Sequence, residues 1–158
     1  MDAKAGTLTR DEVAVESQWD LTGLYSSDDV WASELVEFEA GLEKYASFAG
    51  TLAESALKLK ACLEFDMNFS RQLEKLYTFA HLKNDEDKTN SFHQGNFEKV
   101  MRLVNEASRA SSFIRSEIMS IPDDKISAFL ADKELEFYWF HLEQVLRYRD
   151  HTLSEKEE

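Results

Sequence analysis

The sequence contains very little that would interrupt a helix. One proline and five glycines occur in 158 residues, and these two residue types are the usual helix breakers. Hydrophobic residues still make up 43% of the chain, which is too large a share for a disordered polymer. The length suits one domain with a continuous core. Composition therefore predicts a folded domain that is mainly α-helical.

Cysteine and long apolar runs are also scarce. Cys62 is the only cysteine, which excludes an intramolecular disulfide and a cysteine-based zinc cluster. It lies in an apolar helical pattern, so we expect a small buried hydrophobe rather than a nucleophile. Residues 1–10 have no hydrophobic signal core, and no apolar run approaches the roughly 18 residues that span a bilayer. We expect a cytoplasmic protein without a membrane partner.

Basic residues are in the minority. The chain has 18 basic and 31 acidic residues, which gives a formal net charge of -13. Such a charge repels a phosphate backbone and an anionic membrane surface. We therefore expect no nucleic-acid partner, and solvated acidic helix faces are the simpler interpretation of the charge.

The first part of the chain is predicted to be irregular. Residues 1–17 are polar, small and charged, which is typical of a flexible lead-in. The segment Trp19–Tyr25 is apolar enough to pack, but Gly23 makes it a poor helix. We expect an ordered arm that lies on a helical domain.

Helices are predicted from Ser27 onward. Ser27 suits an N-cap, and the helix it starts should end near Gly50. A second helix is predicted over 53–65, and a third, separate or continuous with a kink, should end at a polar loop over 84–90. The residues expected on the apolar faces are Trp31, Leu35, Phe38, Leu42 and Tyr45, then Leu52, Ala56, Leu59 and Leu63, then Phe69, Leu73, Leu76 and Ala80.

The second half of the chain predicts three more helices. An apolar seam from Phe97 to Ile121 predicts one unbroken helix of roughly eight turns. Pro122 should end it and open a short helix over 123–130. Asp132 should cap a last complete helix with Leu135, Trp139, Leu142 and Leu146 on its buried face. The fold class is all-α, an antiparallel helical bundle of about five to six helices with an irregular N-terminal arm.

Two features near the C-terminus suggest that something is missing. Phe137, Tyr138, Trp139 and Phe140 are consecutive, so one helix face cannot bury them all. Either this helix is central, or some rings belong to a surface that another part covers. Ser154 and Glu157 match a capping box, so residues 153–158 are expected to start a truncated helix.

Catalytic and metal-binding patterns are absent from the sequence. The histidines are His81, His93, His141 and His151, and they form neither His-Glu-x-x-His nor the Glu-x-x-His of a di-iron bundle. No glycine-rich phosphate loop is present. The acidic cluster 85–87 lacks the spaced ligands and glycine of an EF-hand loop. We therefore assign no catalytic, cofactor-binding or metal-binding residue to the chain.

Several motifs, in order, resemble the start of oligoendopeptidase F proteins. Each is weak alone, but their joint order over roughly residues 9–158 is specific. The motifs are Arg10–Val13, Trp19–Tyr25, Phe48–Leu52, Leu82–Asp87, Phe113 with Glu117, Leu142–Glu143 with Arg147, and His151–Ser154.

The resemblance implies a function for a longer parent protein. The parent would be a cytosolic zinc metallopeptidase that cleaves oligopeptides in a deep, mainly helical cleft. Its zinc would be held by a His-Glu-x-x-His helix and a downstream glutamate, all beyond position 158. Residues 18–152 would form the N-terminal helical lobe, inactive alone, and its partners would be the catalytic domain of the same polypeptide and the oligopeptide substrate.

One alternative stays open. The chain could be a stand-alone helical interaction module that binds a peptide or a partner helix along an apolar groove. An enzyme of unrelated chemistry has no support among the residues.

Overall fold

A computed structural model of the chain describes residues 12–149, and every regular element among them is helical. The all-α prediction is confirmed, as is the irregular N-terminal arm. Short 3-10 turns cover Val15–Ser17, Leu42–Ser47 and Lys133–Tyr138. The α-helices are α1 (Asp28–Gly41), α2 (Ala56–Glu86), α3 (Ser91–Ser111), α4 (Phe113–Ser120), α5 (Asp123–Leu130) and α6 (Trp139–Leu146).

The chain divides into two compact units. The first unit combines the residues up to Ala40 with Arg71–Asn105. The second unit combines Gly41–Ser70 with the residues from Glu106 onward. Each unit is therefore made of two separate stretches of sequence. The predicted boundaries at residues 17 and 152 stay a prediction.

The first unit is organised around Trp31 of α1. Ser27 caps α1 as predicted, since its Oγ accepts a hydrogen bond from the Val30 amide at 3.3 Å. The Trp31 indole Nε1 donates to the Leu76 carbonyl oxygen of α2 at 2.9 Å, and its ring stacks on Phe79. Buried around this contact are Leu35, Phe38, Leu76, Ala80, Val100 and Leu103.

The second unit has a core of aliphatic side chains with an aromatic group at one side. Helix α4 packs against α6, and α5 against the turn Lys133–Tyr138. At Gly41 an added Cβ would lie 2.8 Å from Cε2 of Phe69, so glycine allows the ring to approach the backbone. The buried side chains include Leu52, Leu59, Cys62, Leu63, Ile114, Ile118, Ile121, Ile126, Leu135 and Leu142.

Helix α2 is longer than the sequence suggested. The two predicted segments are one helix of 31 residues, because no glycine or proline occurs between Ala56 and Glu86. The prediction of a loop from residue 84 is wrong by three residues at its start. Asn84 is buried, four positions after Ala80, so the helix continues although its last residues are polar.

The prediction of one unbroken helix from Phe97 to Ile121 is correct about the buried side chains but wrong about the unbroken helix. Ala107, Ile114, Ile118 and Ile121 are buried as expected. The helix is interrupted at Ser112, between α3 and α4. The Ser111 and Ser112 hydroxyls donate to the carbonyl oxygens of Ser108 and Arg109, at 3.4 and 2.9 Å. Such side-chain bonds compete with the helical backbone ladder, which explains the break.

The end of the seam agrees with the prediction. Pro122 precedes α5, whose bounds Asp123–Leu130 match those expected.

The final helix begins differently from the prediction. Asp132 is the expected cap and accepts the Glu134 amide, but the next turn is 3-10 rather than α. This tighter turn shifts the buried positions to Leu135, Tyr138, Leu142 and Val145. The prediction that Trp139 belongs to the buried face is therefore wrong. The capping box at 154–157 lies outside the described residues.

Candidate functional site

The arm Trp19–Tyr25 is folded by its own side chains. The Asp20 carboxylate accepts hydrogen bonds from the Thr22 hydroxyl at 2.6 Å and the Thr22 amide at 3.0 Å. These two bonds, the hydroxyl first, lower the pKa of Asp20. The Leu21 carbonyl oxygen then accepts the Leu24 and Tyr25 amides, at 2.9 and 3.1 Å. Local bonding thus forms a turn that ends at Tyr25.

Tyr25 anchors the arm to the helices of the first unit. Only 3% of it is exposed, and its ring meets Phe79 edge-on with centroids 5.2 Å apart. The Lys75 ammonium lies 4.0 Å above the same ring. Burial raises the pKa of Tyr25, and the Glu34 carboxylate raises it further. Beside this anchor a cavity of about 260 Å³ is lined by the arm, Phe79 and Lys83.

The loop Phe48–Leu52 is held by Glu117. The two carboxylate oxygens of Glu117, which lies on α4, accept the Gly50 and Leu52 amides, both at 3.1 Å. Gly50 has a φ of 78°, a conformation that glycine adopts without strain. The sequence motif Phe48–Leu52 and the motif containing Phe113 and Glu117 therefore meet in space. The sequence carries both motifs but no signal that they pair.

Beneath this loop lies a tyrosine–carboxylate pair that sequence reasoning missed. The Tyr45 hydroxyl donates to Asp66 Oδ1 at 2.7 Å. Burial raises the pKa of Tyr45, and Asp66 raises it further, so the phenol remains a neutral donor. The rings of Phe65 and Phe69 both stand edge-on to Tyr45. Tyr45 and Asp66 lie on different elements, so the spacing of residues within one helix gives no signal for this pair.

Cys62 is enclosed in the same unit. Its exposure is 0%, and burial together with the Asp66 and Glu117 carboxylates raises the pKa of the thiol to about 12. A thiol with that pKa stays protonated at neutral pH and is a poor nucleophile.

The aromatic surface, defined by Phe137, Trp139 and Phe140, is open to solvent. Their exposed fractions are 79%, 44% and 66%. Phe137 also lines a cavity of about 480 Å³. Inside the cavity Lys60 Nζ lies 2.7 Å from Glu134 Oε2, and this hydrogen bond raises the pKa of Lys60. The rings are therefore exposed rather than enclosed by a central helix, and the interpretation that another part of the polypeptide covers them stays a prediction.

The His81 side chain contacts two residues of its own helix, α2. His81 stacks on Tyr77, and its Nδ1 lies 3.4 Å from Asp85 Oδ2. Among residues 12–149, no three His, Cys, Asp or Glu side chains are grouped so that they could hold a metal ion. Within the same range no helix is both long and apolar enough to cross a membrane. His151 lies outside the described residues.

Comparison with known proteins gives a consistent set of relatives. The family model described as Oligopeptidase F matches residues 117–158. Oligopeptidase PepF of Bacillus subtilis is 36% identical over 94% of this chain, which corresponds to 22% of that protein. Group B oligopeptidase PepB of Streptococcus agalactiae is 31% identical over 94% of this chain and 25% of its own length.

Solved structures agree with the sequence relatives. Oligoendopeptidase-F from Enterococcus faecium superposes with a TM-score of 0.71, with 30% identity over 83% of this chain and 26% of that one. A Chlamydophila abortus protein described as a peptidase gives a TM-score of 0.85 with 27% identity, over 94% of this chain and 25% of that one.

The chain thus spans about a quarter of the length of the relatives it matches. The motif order, the helical fold and these matches lead to one conclusion: the chain belongs to the oligoendopeptidase F family and corresponds to the N-terminal region of its members.

Proposed function

We propose that this chain is the N-terminal lobe of a zinc-dependent oligopeptidase that hydrolyses peptide bonds in short peptides. The observation that carries the proposal is a match to an oligopeptidase with 36% identity over 94% of this chain. The matched region is only 22% of that oligopeptidase. The chain aligns as one region of a larger enzyme. A cytoplasmic location and an oligopeptide substrate are parts of the same proposal.

The chemistry would be supplied by the rest of the polypeptide. Zinc with a water activated by a glutamate is the reaction centre that the family resemblance implies. The described residues offer no ligand set for it, so no zinc ligand and no catalytic step is assigned to them. Cys62, the one thiol, is buried and protonated, which makes it unsuited to nucleophilic attack.

Two contacts in this chain fix its non-helical segments to the helices. Glu117 fixes the loop Phe48–Leu52 through two backbone amides, and Tyr25 fixes the arm against Phe79. In a lobe beside a cleft, such fixed loops would limit the size of the peptide that enters.

The proposal is tested first in the gene and then in a chimaera. The coding sequence downstream of Glu158 should continue in frame into a helical sequence with His-Glu-x-x-His. For the activity test, residues 1–158 would replace the matched region of Bacillus subtilis PepF. An internally quenched peptide of about eight residues would report hydrolysis.

The expected result is hydrolysis by the chimaera, sensitive to a zinc chelator, and none by residues 1–158 alone. PepF without its matched region would serve as the negative control. A stop codon directly after Glu158, or stoichiometric zinc on the isolated chain, would contradict the proposal.

The aromatic surface supports a second candidate, a stand-alone module that binds a peptide or partner helix. Three exposed rings on one chain segment are typical of interaction surfaces. The two candidates differ in the coding sequence downstream of Glu158, because a module would end there and would be a stable monomer that captures a peptide. Size-exclusion chromatography of residues 1–158 with and without a helical peptide library separates them.

A further inference from the structure

The aromatic surface is not required by the packing of its own unit. The segment that carries it buries Leu135, Tyr138, Leu142 and Val145 on the opposite side. Phe137 and Phe140 are three residues apart, so they are neighbours on the outward side. Phe137 touches the buried ring of Tyr138 edge-on, with centroids 5.1 Å apart, and Trp139 is partly buried. Most of the Phe137 and Phe140 side chains nevertheless presents apolar area to water.

Charged side chains lie beside the Phe137 part of the aromatic surface. Next to Phe137 lies the cavity of about 480 Å³, whose other lining residues include Lys133, Glu134 and Glu136. The Lys60–Glu134 ion pair crosses it, and both side chains remain partly exposed. An apolar centre with charged side chains around it is the usual arrangement at protein contacts.

We propose that the aromatic surface is the docking face for the polypeptide that lies C-terminal to this region in the longer relatives. The inference rests on the proposed function. Two findings identify this occupant: the relatives are about four times longer than the matched region, and the segment that matches the family model, 117–158, contains all three rings. The rest of a relative's chain is therefore available to cover them.

Permanent cover distinguishes this occupant from a substrate. An oligopeptide would leave the rings in water whenever the enzyme is empty, at a cost of roughly 25 cal/mol per Å² of apolar surface. A covalently attached segment covers them at all times and at a high effective concentration.

Hydroxyl-radical footprinting with mass spectrometry tests this directly. Oxidation of Phe137, Trp139 and Phe140 would be measured in residues 1–158 alone and in the PepF chimaera. Phe92, which is 57% exposed and far along the chain from these rings, is the reference side chain. We expect oxidation of the three rings to fall roughly fivefold or more in the chimaera, because interface centres exclude water, while that of Phe92 stays unchanged.

The outcomes separate the two proposals. A chimaera that hydrolyses peptide while the three rings remain as reactive as in the isolated chain overturns the docking face and leaves the proposed function intact. A chimaera that neither hydrolyses peptide nor protects the rings contradicts both. Protection in the isolated chain that grows with its concentration would show that a second copy is the occupant, and it would overturn the proposal.

A variant pair provides an independent test. F137A/F140A should lower the thermal unfolding temperature of residues 1–158 only slightly, because both rings are mostly exposed and the contact of Phe137 with Tyr138 is a small loss. In the chimaera the same change should accelerate tryptic cleavage about tenfold, because each aromatic anchor of an interface carries a large share of its affinity. F92A is the matched control and should accelerate cleavage in neither protein. Equal cleavage of F137A/F140A and F92A chimaeras would overturn the docking face.

Discussion

Two non-helical segments, the arm Trp19–Tyr25 and the loop Phe48–Leu52, are fixed in different ways. The arm forms its own turn through Asp20 and Thr22 and then inserts one ring, Tyr25, among helices. The loop has local bonds from the Thr51 amide and hydroxyl to the Phe48 carbonyl oxygen, at 3.0 and 2.7 Å. Its Gly50 and Leu52 amides, however, are held by the distant carboxylate of Glu117, which lies 65 residues away from Leu52. A locally bonded segment should keep its shape when its anchor is lost, whereas a segment held from a distance should lose it.

The largest effect is expected from removing the anchor of the arm. Y25A should lower the free energy of unfolding by about 3–4 kcal/mol, because a buried aromatic side chain is lost and a cavity remains. Urea denaturation followed by circular dichroism measures the loss. W19A is the control and should cost less than about 1 kcal/mol, since Trp19 is about half exposed. Equal losses for the two variants would contradict the anchor role of Tyr25.

The next largest effect is expected from removing the Glu117 carboxylate that holds the loop Phe48–Leu52. E117A should cost about 2–3 kcal/mol, because the Gly50 and Leu52 amides lose a charged acceptor and Leu52 is buried. E117Q should recover part of this, since the amide keeps one acceptor oxygen.

Labelling of Cys62 with a thiol reagent gives a second measure of how Glu117 holds the loop. The buried thiol should react faster in E117A than in the exposed-surface control E37A. If E37A and E117A are labelled equally fast, Glu117 does not hold the loop.

A smaller effect is expected at the base of the same loop. Y45F should cost about 1 kcal/mol, because the hydroxyl that donates to Asp66 is removed while the ring stays. A double-mutant cycle with D66N, measured by urea denaturation, isolates the hydroxyl–carboxylate interaction. Additive losses would show that the two groups do not interact.

The smallest effect should come from the local turn of the arm. T22V removes the hydroxyl that holds the pKa of Asp20 below its usual value, so that pKa should rise. Because the folded-state pKa is lowered, the turn stabilises the fold above the unfolded pKa of about 3.9. That contribution disappears as the pH falls through the lower folded value.

Carboxyl NMR titration checks the Asp20 prediction and contains its own control. Asp87 has the same arrangement with Thr89, and its pKa is lowered for the same reason. In T22V the pKa of Asp87 should stay where it is. A parallel rise of both values would indicate a general change in the charge of the fold rather than the loss of one bond.

The same contrast explains what the sequence could predict. Three local signals agree with the structure: the Ser27 cap, the start of α5 after Pro122, and the Asp132 cap. Each depends on residues within one turn of each other.

Features that depend on distant partners could not be predicted. The pairing of Glu117 with the Phe48–Leu52 loop and that of Tyr45 with Asp66 join different elements, and periodicity carries no information about such pairs. The burial of Trp139 was wrongly predicted because an α-helical period was assumed where the chain forms a 3-10 turn. The exposed aromatic surface was one of two open interpretations, since a run of four rings does not say which of them are covered.

The interleaving of the two compact units restricts how such a region can be exchanged between genes. The chain passes from one unit to the other after Ala40, after Ser70 and after Asn105. The last two crossings fall inside α2 and α3. A recombination event at either point would cut through a ladder of helical hydrogen bonds. One after Ser70 would leave both units without one of their stretches, and one after Asn105 would do so for the second unit. Inheritance of the region as a single genetic block is therefore the outcome that preserves its fold.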